Sequence, residues 1–376
     1  MEYRVYCKQL VGKGFEICLH GASAGNNRRE RQMEAVRLLN DEFCKQKTYI
    51  CHSKNADNIY WEDKVTNLQP FKVLLKAYSR NRCSGEDNSS DYFWGDICYR
   101  EIDYIRLHRT RRTDTLSLNP SMPYHNREKP YVKYWFSATK RAIKDCSDDD
   151  SLKRLVRNNG LTVLYQYLHR YSDPSTLELD GNFVRAIENI KRHGEIWVAP
   201  VGKVMDRLRA MQEIFLVLSK NEAWILNLNG MAVRDIQIRC PEDENNSIVV
   251  AEVPEKGMVA ITKSRRYNYH GRNVIKLKGN LTAVKKTTAG MIYVNLSQQP
   301  ASVGSACMVD PMSFKYVPYL KADHEPMRIL SKLEESKLLL AQSWVILREL
   351  LLRKRSLNQD AFLGKEEIIL ESHDRW

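Results

Sequence analysis

Gly14-Phe-Glu-Ile-Cys-Leu-His-Gly21 is the stretch that decides how the chain folds. Phe15, Ile17 and Leu19 alternate with Glu16, Cys18 and His20 behind a glycine, the two-residue period of a strand. The strand ends on an imidazole. In sheets and barrels of parallel strands, chemistry gathers at the C-terminal strand ends, so His20 is the first candidate functional side chain.

Outward from this strand the text alternates between helical and extended patterns up to about residue 212. Residues 2–12 end a helix at Gly12 and Gly14, and Arg28 to Phe43 carries Met33, Val36, Leu38, Leu39 and Phe43 at helical spacing. Tyr49-Ile-Cys-His52 is a second short strand closing on histidine, and Val73–Tyr78 a helix. Tyr104–Arg106 is a strand followed by a polar, proline-containing loop through Pro130. A helix from Ser151 to Asn159 stops at Gly160, and Leu161–His169 is a strand that again finishes in histidine. Phe183–His193 and Val204–Phe215 are helices flanking a strand at Ile196–Ala199. Alternation of this kind predicts a parallel sheet with crossover helices, open or closed into a barrel.

The pattern changes near residue 215. Ala223–Leu228, Val233–Ile238, Ile248–Val253, Met258–Ile261, Val274–Leu277 and Met291–Leu296 are short strands separated by turns, expected to build a small β-sandwich over 216–320. The tail, 321–376, holds Leu330, Leu333, Leu338, Leu340, Trp344, Leu347 and Leu351 at helical spacing within 325–355. That helix is expected to pack on the body or on a second copy, the latter giving a homo-oligomer.

The chain has 376 residues, 43% of them hydrophobic and 28% charged, enough for two domains and an appendage. No stretch is apolar for long enough to cross a bilayer, and Met1–Cys7 does not read as a signal peptide. A cytoplasmic product is the expectation for the chain as written, and it lapses if the true start lies upstream. Nine scattered cysteines contain no Cys-x-x-Cys pair, which argues for reduced thiols over a zinc ribbon. The net charge of +13 could attract an anionic partner, but its arginines and lysines fall in separate groups outside any recognisable nucleic-acid motif.

His20, His52 and His169 each follow an apolar stretch, so a parallel sheet would bring them to one rim. Asp57 stands close enough to His52 to orient it or to cap the next turn. Asp91-Tyr-Phe-Trp-Gly-Asp96 is a loop whose Trp94 and Asp96 could line a sugar cleft or anchor the surface. Arg106, at a strand end, could contact a substrate anion or pair with a carboxylate.

The 14–21 segment resembles the Gly-His-Glu-Ile-x-x-His motif of polysaccharide deacetylases of the NodB-homology group, carbohydrate esterase family four. Tyr165–His169, Leu179–Phe183 and Ile196–Pro200 resemble that family's late region. The resemblance covers residues 1 to about 212. It implies an incomplete NodB-like (β/α) barrel over 1–215, lacking the first strand with its paired aspartates. It also implies a divalent, zinc-like metal bound through His20, His169 as the general acid, and hydrolysis of the N-acetyl C–N bond of a carbohydrate. His52, Asp57, Trp94, Asp96 and Arg106 are the candidates for holding that substrate.

Two departures bear on activity. Ala24 stands where the family's second metal histidine is expected, and no strand fits before Gly14. The rival expectation is therefore a glycan- or anion-binding protein that has no catalytic activity and binds no metal, on a degenerate deacetylase fold.

Overall fold

The computed structural model describes residues 2–51, 55–78, 83–176, 178–218, 223–240, 243–255, 258–261, 274–278, 282–287, 290–295, 306–309, 315–316 and 332–344. These divide into two compact units. One is made from the chain up to Met205 together with 332–344, and the other lies within Asp206–Arg328. No helix among the described residues is long and apolar enough to cross a membrane.

The first unit is α/β. Helices α1 (Glu2–Gly12) and α2 (Arg29–Glu42) precede β1 (Thr48–Tyr49). Next come α3 (Phe71–Tyr78), α4 (Gly95–Glu101), β2 (Tyr104–Thr110), α5 (Thr115–Leu118) and β3 (Tyr134–Thr139). Helices α6 (Ile143–Cys146), α7 (Asp149–Arg157) and α8 (Gly181–Arg192) follow, and α9 (Val201–Gln212) runs across the division between the units.

Strands β1, β2 and β3 form a parallel sheet in that order. Single parallel bridges extend it on both sides, Leu19 to Tyr49 and Thr139 to Leu164. Five parallel segments thus lie side by side in the order in which the chain makes them. A doubly wound sheet reverses its order at a switch point, whereas this one winds steadily in one direction. It is an open array, with no closed barrel among the described residues.

Several expected elements change. The 15–19 strand is reduced to its bridge at Leu19, and 161–169 to its bridge at Leu164. His169 lies past that bridge in a 3-10 turn, Leu168–Tyr171, and not at a strand end. Ile196–Ala199 is not a strand: Trp197 and Val198 are 54% and 74% exposed, and no neighbour among the described residues pairs with them. Strand β3, beyond the loop ending at Pro130, is not among the strands expected from sequence, and all six of its residues are buried.

Local signals account for the helix starts. Asp148 accepts from the Ser151 N–H at 2.9 Å to cap α7, whose first turn carries Asp149 and Asp150 and whose last carries Arg154 and Arg157. Asp180 caps α8 through the Asn182 and Phe183 N–H groups. In α2 it is Gln32 and Val36 that turn inward, while Met33 and Leu38 stay exposed.

The core of this unit joins Leu19, Val36, Tyr49, Trp61, Trp94, Ile97, Ile105, Leu107 and Trp135. Leu338 and Leu339 of the 332–344 helix belong to the same core. That helix is pinned further by hydrogen bonds from Thr66 Oγ1 to Glu335 (2.5 Å) and from Ser121 Oγ to Glu334 (2.7 Å). Of the two packing modes expected for the tail helix, its described part uses the body.

The second unit is nearly all β. It comprises β4 (Ile214–Leu218), β5 (Ala223–Asn227), β6 (Val233–Cys240), β7 (Asp243–Val253), β8 (Met258–Ile261), β9 (Val274–Lys278) and β10 (Thr282–Thr287). Strands β11 (Gly290–Asn295), β12 (Ala306–Val309) and β13 (Lys315–Tyr316) complete it. Eight of them form one sheet in the order β12-β8-β5-β4-β9-β10-β11-β13, and β6 pairs with β7 as a separate ribbon. All of these pairings are antiparallel except β4 with β9. Where a small sandwich was expected, the described residues form this eight-stranded sheet and the separate ribbon. The buried Asn227 amide ties the two by donating to the carbonyls of Met231, Val253 and Pro254.

Leu339 is fully buried, so Leu339→Ala should destabilise the first unit by about 2–5 kcal/mol. Urea unfolding followed by tryptophan fluorescence measures it. An unchanged midpoint would mean that the helix does not dock in solution.

Candidate functional site

His20 lies one residue past the Leu19–Tyr49 bridge, and its exposed ring places Nδ1 2.6 Å from the Ile50 carbonyl oxygen. A carbonyl only accepts, so Nδ1 carries the proton. The glycines flanking this segment, Gly14 and Gly21, have φ of +87° and +99°, which suits glycine at the entry and exit of the extended run.

Asp57 is fully buried and its carboxylate is used up locally. Oδ1 accepts from the Asn27 backbone N–H at 2.9 Å, and Oδ2 from the Asn27 side chain at 3.3 Å and from Gln32 Nε2. Its carbonyl accepts from Trp94 Nε1 at 2.6 Å. Gly85 packs against the same backbone, where a Cβ would fall 2.3 Å from the Asp57 carbonyl oxygen. Trp94 is wholly buried, edge-on to Tyr49 at 5.1 Å, so it anchors the core and lines no surface cleft. Asp96 forms a two-pronged ion pair with Arg29 at 2.6 and 2.8 Å, which holds its carboxyl below the usual range.

The metal that the resemblance implies needs His, Cys, Asp or Glu donors in one place. Among the described residues no three of these come together in a way that could hold a metal. Asp57 faces amides, and Asp96 faces a guanidinium. The donor set of the described residues does not fit a zinc-like ion. His52 lies outside the described residues.

Arg106 has a different environment. It is 2% exposed, and burial lowers its pKa. The guanidinium carbon sits 4.0 Å from the Tyr165 ring centroid and 5.7 Å from that of Trp61. Arg109 reaches the same Trp61 ring, also at 5.7 Å.

A register irregularity explains why these two arginines share a face. Arg106 pairs with Phe136 but His108 with Ser137, so Leu107 is the extra residue of a bulge. Beyond it the alternation is re-phased. Arg109 falls on the side of Arg106, and His108 falls on the other. Simple alternation along 104–110 would have grouped Arg106 with His108, so the sequence alone did not signal the pair.

From Arg106 a ladder of rings and cations leads outward. The Tyr165 and Tyr167 hydroxyls are 2.6 Å apart and their rings 5.4 Å. Tyr167 is 43% exposed, with His169 at 5.7 Å between ring centroids and the Arg170 guanidinium at 5.0 Å. Burial pushes the Tyr165 phenol up, but the Arg106 charge and the bond with Tyr167 outweigh it, leaving it below the ordinary tyrosine value. Tyr167 is raised to about 12 by burial and by that same bond. His169 therefore lies at the exposed end of a cationic, aromatic track. The sequence points to Arg106 and His169 as candidates but not to Trp61, Arg109, Tyr165 or Tyr167, which belong to three separate segments.

These features define an α/β protein with a cationic, aromatic site beside its parallel strands. Comparison of the chain with family models, curated proteins and solved structures returns no match to any of them.

His108 is fully buried, neither ring nitrogen has a described partner, and burial lowers its pKa to about 3. The unfolded chain therefore binds a proton that the fold refuses between roughly pH 6.5 and 3. Stability should be full above that window and fall with acidification by about 1.4 kcal/mol per pH unit from this group. Denaturant titrations at pH 7, 6 and 5 measure the slope, which His108→Leu should flatten. An identical slope in the variant would refute the assignment.

Proposed function

We propose that the first unit is a carbohydrate-directed module of the deacetylase type that works by binding a glycan and performs no metal-assisted hydrolysis. The observation that carries this is the ladder from Arg106 through Tyr165 and Tyr167 to Arg170. Flat aromatic faces suit the apolar faces of sugar rings, and the flanking guanidiniums supply donors for hydroxyl or acidic groups. The net charge of +13 adds long-range attraction for an acidic polymer.

Support for the scaffold type comes from two sources. The 14–21 and 161–169 segments resemble the family, and the parallel segments follow one another in chain order as a (β/α) barrel arc would. Support for binding over hydrolysis comes from the donor set, in which Asp57 and Asp96 are committed to amides and to Arg29.

The test pairs binding with turnover on the full chain. N-acetylated oligosaccharides should bind, and Tyr167→Ala should weaken binding by about tenfold, read by calorimetry. With zinc supplied, acetate release should stay at the buffer rate. A stoichiometric metal lost in His20→Ala, together with acetate release, would replace this reading with N-deacetylation of the carbohydrate.

A further inference from the structure

Among the described residues, the buried side-chain nitrogens and oxygens without a hydrogen-bond partner include atoms of only two permanently charged groups. These are Nε and Nη1 of Arg106 and Nε of Arg109. They belong to neighbouring side chains, placed on one face of β2 by the Leu107 bulge and both lying over Trp61. No carboxylate among the described residues forms an ion pair with either. The surrounding groups are aromatic (Trp61, Tyr165), and the Arg109 guanidinium disfavours the charge on Arg106.

Such an arrangement is expensive to fold. A buried charge without a counter-ion is disfavoured, and a second cation beside it adds repulsion. The chain nevertheless holds the pair firmly. Gln342 Oε1 of the 332–344 helix accepts the Arg109 backbone N–H at 2.7 Å, clamping the strand just past the bulge. Tyr165 also engages Arg106, while Nε and Nη1 of Arg106 and Nε of Arg109 are left to donate. Planar, pre-oriented donor forks suit the paired oxygens of an oxyanion.

We infer that Arg106 and Arg109, held over Trp61 and Tyr165, form a binding site for an oxyanion. The shared chemistry is a carboxylate, sulfate or phosphate group, carried as the acidic substituent of a glycan or present as a free inorganic anion. The glycan source rests on the binding function proposed above, because the Tyr165–Tyr167 ladder would seat the sugar whose acidic group reaches the arginines. The oxyanion site itself stands on the unneutralised pair.

The test uses the full chain and three probes. One is a hexasaccharide alternating glucuronate and N-acetylglucosamine, one is the same hexasaccharide with its carboxylates reduced to alcohols, and one is sodium sulfate alone. Calorimetry should find the acidic hexasaccharide at least about tenfold tighter than the reduced form, as expected for charge-assisted hydrogen bonds lost. Arg109→Gln should bring that ratio close to one. Arg106→Lys, which keeps the charge but not the fork, should reduce it in part. Sulfate should raise the Tm of the wild type and not of Arg109→Gln, because a ligand of the folded state stabilises by mass action. Circular dichroism checks the fold of each variant, and Arg109→Lys replaces Arg109→Gln if the latter fails to fold.

Sulfate stabilisation that depends on Arg109, without any glycan binding, would support the site with a free anion as its ligand and remove the glycan reading. Equal binding of both hexasaccharides with no Arg109-dependent sulfate effect would overturn the oxyanion site and leave the glycan reading standing. No response to any of the three probes would overturn both.

Discussion

The buried carboxylate of Asp57 is the contact on which the first unit depends. It gathers the loop after the first extended segment through Asn27, helix α2 through Gln32, and, by its backbone carbonyl, the indole of Trp94 at the start of α4. Each is a different chain segment, and each brings a polar group that would otherwise be buried without a partner. In a low-dielectric interior a carboxylate met by several N–H donors is stable, whereas one left bare is not. Trp94 then packs on Tyr49, so the same hub sets the position of β1.

A second constraint shapes the site. The Leu107 bulge turns a regular strand into one that presents Arg106 and Arg109 together and sends His108 to the opposite face. One inserted residue thereby separates the cationic pair from a buried imidazole whose neutral form burial favours. The 332–344 helix makes this geometry durable by capping the strand at Arg109 and filling the core with Leu338 and Leu339. The chain leaves the first unit for the β-rich one and returns to complete it.

Much of the local structure was legible from sequence. The helices expected at 151–159 and 183–193 correspond to α7 and α8, and α2 shows its helical period plainly, because these signals are short in range. Six strands of the second unit, β5 to β9 and β11, stand out as apolar runs between turns, whereas β4, β10, β12 and β13 do not. Strand β3 was missed because Tyr134-Trp-Phe-Ser-Ala-Thr139 follows a long polar loop and, buried on both faces, shows no alternation. The extended stretches 15–19 and 161–169 look like strands by period, yet each forms a single bridge, because ladder length depends on a neighbour and not on the segment itself.

Of the candidate site residues, the sequence by itself determined type and neighbourhood. It offered histidines behind apolar runs, an arginine in a strand and aromatics among carboxylates. Tertiary structure decided their use. It consumed Asp57 and Asp96 in local bonds, buried Trp94, placed His169 on an exposed turn and left Arg106 and Arg109 without a counter-charge among the described residues. The physical reason is range. Period, capping and turn chemistry act over a few residues and are written in order along the chain. Charge neutralisation and strand register act between segments far apart in sequence, and a one-residue bulge is enough to exchange which side chains meet.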